Sequence, residues 1–130
     1  MSSIFSKIIN GEIPSYKVAE TPKFLAFLDV FPLAHGHILV IPKKEIDYIF
    51  DIDDTDLQEM ILFAKQIAKA LKKAVACERI GVAVIGLEVP HAHMHLVPIN
   101  TANDLNFTKP KLKVTAQELT LMAEKIKSKI

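Results

Sequence analysis

Three of the chain's five histidines fall within five residues, His91-Ala92-His93-Met94-His95, and Leu96-Val97-Pro98-Ile99 follows them. Histidine alternating with apolar residues matches the period of a strand, in which side chains two apart share a face at about 6–7 Å. The spacing predicts one strand that carries His91, His93 and His95 on one face and Ala92, Met94 and Leu96 on the other. Imidazole can donate, accept, attack or ligate near neutral pH. A row of three suits a compact polar group, either a phosphate or a metal ion. Zinc sites built from three histidines exist, and His37 or Glu88 can complete one. No Cys-x-x-Cys spacing supports a metal. The other chemistry is nucleophilic. A neutral imidazole nitrogen attacks phosphorus at pH 7, and a covalent intermediate splits one hard displacement into two easier ones.

The surrounding elements must hold that row in place. Ile4 to Ile9 reads as a short helix closed by Asn10-Gly11, residues that favour a left-handed C-terminal cap. Extended segments are expected at Tyr16 to Glu20, Phe24 to Leu28 and His37 to Ile41, with an irregular Pro- and Gly-containing stretch from Asp29 to Gly36. Apolar residues at Leu57, Met60, Ile61, Ala64, Ile67, Ala68, Leu71 and Val75 predict a long helix over Thr55 to Ala76. Thr55 with Gln58 has the spacing of a capping box, and acidic residues at the start with lysines at the end suit the helix dipole. Ile80 to Ile85 is a further strand, and Thr115 to Lys129 a C-terminal helix whose Thr115 and Glu118 repeat the capping-box spacing. This order argues for an α+β fold with a mainly antiparallel sheet.

The chain has 130 residues, 50% hydrophobic and 24% charged, which is one domain's worth with a real core. We read 1–130 as that domain, with a core at about 4–99 and a helical extension at about 100–130. A net charge of +1 makes no case for nucleic acid. Lys109, Lys111 and Lys113 read as a solvated cluster. No segment has the apolar length of a membrane span, and the N-terminus lacks a signal peptide's apolar run. The single cysteine, Cys77, allows no intrachain disulfide, so the expected setting is reducing and cytoplasmic.

With these residues placed, the chain resembles the histidine-triad (HIT) family, its Hint-like branch above all. His91-Ala92-His93-Met94-His95-Leu96-Val97-Pro98 fits the family's signature of histidines alternating with apolar residues. Ile4-Phe5-Ser6-Lys7-Ile8-Ile9, Glu12-Ile13-Pro14, Ala26-Phe27-Leu28-Asp29 and Gly36-His37-Ile38-Leu39-Val40-Ile41-Pro42-Lys43-Lys44 agree in order and spacing. The resemblance implies a HIT-like fold with a five-stranded sheet. It implies a nucleotide hydrolase or nucleotidyl transferase that attacks the α-phosphate of a purine nucleoside phosphoramidate or related adenylate. His93 would be the nucleophile and form a nucleotidyl-histidine. His91 and His95 would flank it, and His37 would serve the phosphate and leaving-group side. Asp29 would accept from the ribose hydroxyls, since a carboxylate offers acceptors to a diol. Phe5, Ile8, Ile13 and Phe27 would wall an apolar slot for the base. The resemblance also implies a homodimer and chemistry that needs no metal or other cofactor.

Two places depart from the family pattern. Many members have an Asn and a Gly-rich loop ending in Gln-Ser/Thr-Val before the triad. Here the segment is the shorter Val84-Ile85-Gly86-Leu87-Glu88-Val89-Pro90, and Glu88 stands where a hydroxyl or amide is usual. Glu88 can hydrogen-bond a histidine, accept from a leaving amine, or point to solvent. Glu45 occupies a place where some relatives have a further histidine. The altered loop also admits a different class of protein, a nucleotide-binding regulator without turnover.

Overall fold

A computed structural model describes residues 2–130. Helix α1 spans Ile4–Ile9, followed by strands β1 (Lys17–Glu20), β2 (Phe24–Leu28) and β3 (Ile38–Pro42). Helix α2 spans Asp54–Ala74, strands β4 and β5 span Arg79–Ala83 and Met94–Ile99, and helix α3 spans Ala116–Lys127. The five strands form one antiparallel sheet in the order β1-β2-β3-β5-β4. This is the α+β architecture expected, with a short N-terminal helix, one long helix and a C-terminal helix.

Strand alternation sorts the side chains onto two faces. Phe24, Ala26 and Leu28 of β2, Ile38 and Val40 of β3, and Met94 and Leu96 of β5 face the helices. There they meet Met60, Phe63, Ala64, Ile67 and Leu71 of α2 and Leu119, Ala123 and Ile126 of α3 in one buried core. The apolar residues of α2 recur at helical spacing because only that spacing keeps them on one side of the helix. Helix α3 thus packs into the main core. The opposite face carries a smaller cluster of Leu25, Phe27, Leu39 and Ile41, covered by Phe5 and Ile8 of α1. His95 is paired with Leu39 across β3 and β5, which places its imidazole on this second face.

Three local expectations change. The N-cap of α2 is Asp53, whose side chain accepts from the Asp56 N–H, and not Thr55. Either residue type caps well, but only Asp53 lies where the chain enters extended. The histidine strand begins at Met94, so His91 and His93 precede it. Its partner β3 ends at Pro42, which has no N–H to continue the ladder, and the Pro42 carbonyl is taken by the His91 ring. The run-in is held instead by His91 N–H to the Val89 carbonyl and Ala92 N–H to the Ile46 carbonyl. Strand β4 stops at Ala83, short of the expected Ile85.

Gly36 sits where the irregular Asp29–Gly36 stretch turns into β3. Its φ is +91°, and a Cβ there would lie 3.0 Å from Leu71 Cδ1 and 3.1 Å from Val75 Cγ2. The turn therefore needs glycine both for its backbone and for its approach to α2.

Candidate active site

The face alternation of the triad survives although its first two histidines precede the strand. Ala92 packs with Met94 and Leu96 in the main core. His91, His93 and His95 are buried on the other side, and the rings of His93 and His95 meet edge to face with centroids 5.0 Å apart. Phe5 supports the row, with ring centroids 5.8 Å from His91, 5.0 Å from His93 and 5.7 Å from Phe27.

Hydrogen bonds to groups of known polarity assign every ring nitrogen that they touch. A carbonyl only accepts and an amide N–H only donates. His93 Nδ1 lies 2.8 Å from the His91 carbonyl, so Nδ1 carries a proton, and in the neutral ring Nε2 keeps the lone pair. His91 Nε2 lies 2.7 Å from the Pro42 carbonyl, so that nitrogen carries the proton. The Leu33 N–H donates to His37 Nδ1 at 3.0 Å, which puts the His37 proton on Nε2. His37 Nε2 then donates to His95 Nδ1 at 2.9 Å, and the His95 proton falls on Nε2. The site thus pairs an imidazole with an available lone pair, His93, with one that has an available N–H, His95.

Electrostatics agree with neutral rings. Burial, then the neighbouring His95, pulls His37 down to about 3. Burial, then His93, pulls His95 down to about 4, and burial also lowers His91. Low dielectric penalises the charged form of a base. The approach of Asp29 Oδ2 to His37 Nε2 at 3.7 Å is consequently not an ion pair. Burial raises the Asp29 carboxyl against the pull of the Phe31 N–H, which donates to Oδ1 at 2.8 Å. Asp29 Oδ2 accepts no hydrogen bond among the described residues.

The residues singled out in the sequence fall into three groups. His91, His93, His95 and Phe5 come together as expected, with Ile8 and Phe27 in the same apolar cluster and Ile13 partly exposed at its margin. His37 joins them only through His95. It is 1% exposed with both ring nitrogens engaged, so it presents no free nitrogen for direct contact with a phosphate or leaving group. Glu88 stands apart, exposed in the loop before the triad and without a hydrogen bond among the described residues. Beyond the triad, His93 borders an open cleft of about 430 Å³ whose walls include Tyr48, Phe50, Val84 and Ile85.

Two further side chains reach the site from the segment after β5. Phe107 packs its ring edge-on against His95 at 4.6 Å and His37 at 6.2 Å between centroids. The exposed Lys111 donates to the Phe107 carbonyl at 2.6 Å and stands 5.9 Å from the Phe107 ring. Its charge weighs against protonation of Asp29, His37 and His95. A lone aromatic in the polar stretch Thr101 to Thr108 was a legible signal for Phe107. Nothing in the sequence distinguished Lys111 from its neighbours Lys109 and Lys113.

Among the described residues, one group could hold a metal ion: Asp29, His37 and His95, whose donor atoms lie within 4.8 Å of one another. A metal needs a lone pair on each imidazole. The Leu33 N–H forces the proton of His37 onto Nε2, the nitrogen that faces His95 and Asp29. Metal binding there requires breaking that buried hydrogen bond, so the donor set fits an ion poorly.

A five-stranded antiparallel sheet with a row of buried, hydrogen-bonded histidines on one face defines a histidine-based site. The HIT domain family matches residues 10–102, and the chain belongs to that family. It is 34% identical over 133 residues to adenosine 5'-monophosphoramidase hnt1 of Schizosaccharomyces pombe, covering 100% of this chain and 99% of that one. It is 35% identical over 133 residues to an uncharacterized HIT-like protein of Borreliella burgdorferi, covering 91% of this chain and 96% of that protein. The crystal structure of a Hit-like protein involved in cell-cycle regulation from Bartonella henselae superposes with a TM-score of 0.87. It shares 34% identity and covers 99% of this chain and 96% of that one.

Proposed function

We propose that this protein hydrolyses a purine nucleoside phosphoramidate or related adenylate through a covalent nucleotidyl-histidine on His93. The observation that carries the reading is the His93 Nδ1–H bond to the His91 carbonyl at 2.8 Å, which reserves the Nε2 lone pair for attack. In the first step, Nε2 forms a bond to the α-phosphorus and the bond to the leaving group breaks. In the second, water attacks phosphorus and the bond to His93 breaks, so that the cycle adds one water across the original bond. The His95 Nε2–H donates to a phosphoryl oxygen as charge builds on it. Such a donor is held ready by the relay from Leu33 through His37, with little reorganisation in the reaction. The related enzyme of Schizosaccharomyces pombe bears the name adenosine 5'-monophosphoramidase, which supports an adenine nucleotide substrate.

The remaining roles follow the same frame. Asp29 Oδ2 accepts from the ribose, and Phe5, Ile8, Ile13 and Phe27 line the base slot. Glu88, exposed, contributes at most to the mouth of the site. The chemistry uses no metal or other cofactor. Strand β4 is one of the sheet's two edge strands, Val82, Val84, Ile85 and Leu87 are exposed on and after it, and Val84 and Ile85 share a cleft with Tyr48 and Phe50. An apolar sheet edge invites pairing, which supports a homodimer joined there. No helix among the described residues is long and apolar enough to cross a membrane, and with a single cysteine the cytoplasm is the proposed setting.

The test is hydrolysis of adenosine 5′-phosphoramidate by the wild-type protein and His93→Ala, side by side. Turnover is expected from the first only, with folding and AMP binding kept in the second. Substantial hydrolysis by His93→Ala would overturn the mechanism.

A further inference from the structure

Helix α1 lies on the histidine face of the sheet, and its first turn carries a polar chain that the chemistry above leaves unused. Ser3 is buried although it opens the helix. Its Oγ accepts the Ser6 N–H at 3.0 Å and lies 2.8 Å from His91 Nδ1. Because the His91 proton is committed to the Pro42 carbonyl, the neutral ring offers a lone pair at Nδ1 and the Ser3 hydroxyl donates to it. Glu45, just beyond β3, holds the serine from the other side. Its Oε1 accepts the Ser3 N–H at 2.6 Å and the Ser6 hydroxyl at 2.7 Å.

We infer that Ser3, anchored by Glu45, is a positioning residue for the triad, locking the His91 ring and, through the His91 carbonyl, the orientation of His93. The inference rests on His93 being the nucleophile. When Nε2 of His93 bonds phosphorus, the ring gains positive charge and its Nδ1–H bond to the His91 carbonyl strengthens. A carbonyl already in place stabilises that charge without rearrangement. The His91 ring is tied at both ends, at Nε2 by Pro42 and at Nδ1 by Ser3. Removing the hydroxyl leaves a buried acceptor unpaired and the ring held at one end only. The Ser3 N–H, then the Ser6 hydroxyl, bring Glu45 down to about 2, so the anchor is a carboxylate throughout the neutral range.

Ser3→Gly separates this role from helix capping, since glycine also caps well but carries no hydroxyl. Hydrolysis of adenosine 5′-phosphoramidate and ¹⁵N NMR of the histidine rings are the two readouts. Ser3→Gly is expected to lower kcat about tenfold with KM little changed, as small misplacements of reacting groups do. The His91 Nδ1 resonance should move to that of an acceptor without a partner, and Ser3→Thr should restore it. An unchanged kcat in Ser3→Gly, or an unmoved His91 Nδ1 resonance, would overturn the inference. Absence of turnover in the wild-type protein would strike the proposed function instead, and the NMR arm alone would then decide whether Ser3 anchors His91.

Discussion

His37 Nε2 donates to His95 Nδ1 across 2.9 Å, from a ring whose other nitrogen already accepts the Leu33 N–H. The Leu33 amide thereby decides where the proton sits on a histidine it does not touch. His37→Phe keeps a similar flat ring but ends the relay. It is expected to lower kcat by roughly tenfold or more as His95 loses its fixed tautomer. It also leaves the Leu33 N–H buried and unpaired, at about 1–3 kcal/mol of stability. Turnover and urea denaturation of the same preparation measure both.

The neutral histidines make stability depend on pH. His37 and His95 fall to about 3 and about 4 when folded, whereas an unfolded histidine titrates near 6.5. The unfolded chain therefore binds more protons below about 6.5, and stability is lost as pH falls toward the folded values. Each histidine adds a slope of up to about 1.4 kcal/mol per pH unit. Urea midpoints should drop between pH 7 and pH 5, and His37→Phe should flatten the slope. A midpoint independent of pH in that window would contradict the assignment of buried neutral rings.

Asp29→Asn keeps an acceptor for the Phe31 N–H but weakens the group proposed to meet the ribose. The KM for adenosine 5′-phosphoramidate should rise about tenfold, while a 2′,3′-dideoxy analogue should lose much less, because it has no diol to bind. An equal loss on both substrates would assign Asp29 to the His37–His95 pair rather than to the sugar.

Phe107→Ala removes the ring that packs on His95 and His37. The residue is only half-buried, so melting should shift little. The expected effect is a several-fold loss of kcat/KM, from looser placement of His95. Phe107→Leu should recover part of it by packing alone.

Gly36→Ala tests the turn into β3. A side chain there meets both a left-handed φ of +91° and a Leu71 methyl at 3.0 Å. Destabilisation of about 1–3 kcal/mol is expected from strain at such a position. Thermal or urea unfolding reads it directly.

Much of the fold was legible because periodicity survives folding. The 3.6-residue spacing of Met60, Ala64, Ile67 and Leu71 is the face that α2 buries, and β2 runs over Phe24–Leu28 as its pattern indicates. The capping box at Thr115 and Glu118 is present because both partners lie within one turn. Boundaries were less legible. The histidine strand starts late because Pro42 of the neighbouring strand cannot continue the ladder, a fact of pairing that the triad segment does not contain.

Alternation along the chain is enough to set His91, His93 and His95 on a face opposite Ala92, Met94 and Leu96. Tertiary structure decided what each imidazole can do. A tautomer is set by its hydrogen-bond partners. His91 finds Pro42 and Ser3 at separations of 49 and 88 residues, and His95 finds His37 at 58. No local pattern reports such partners. Folding alone brings a carbonyl, a hydroxyl and an amide to the rings, leaving His93 with a lone pair and His95 with a proton to give.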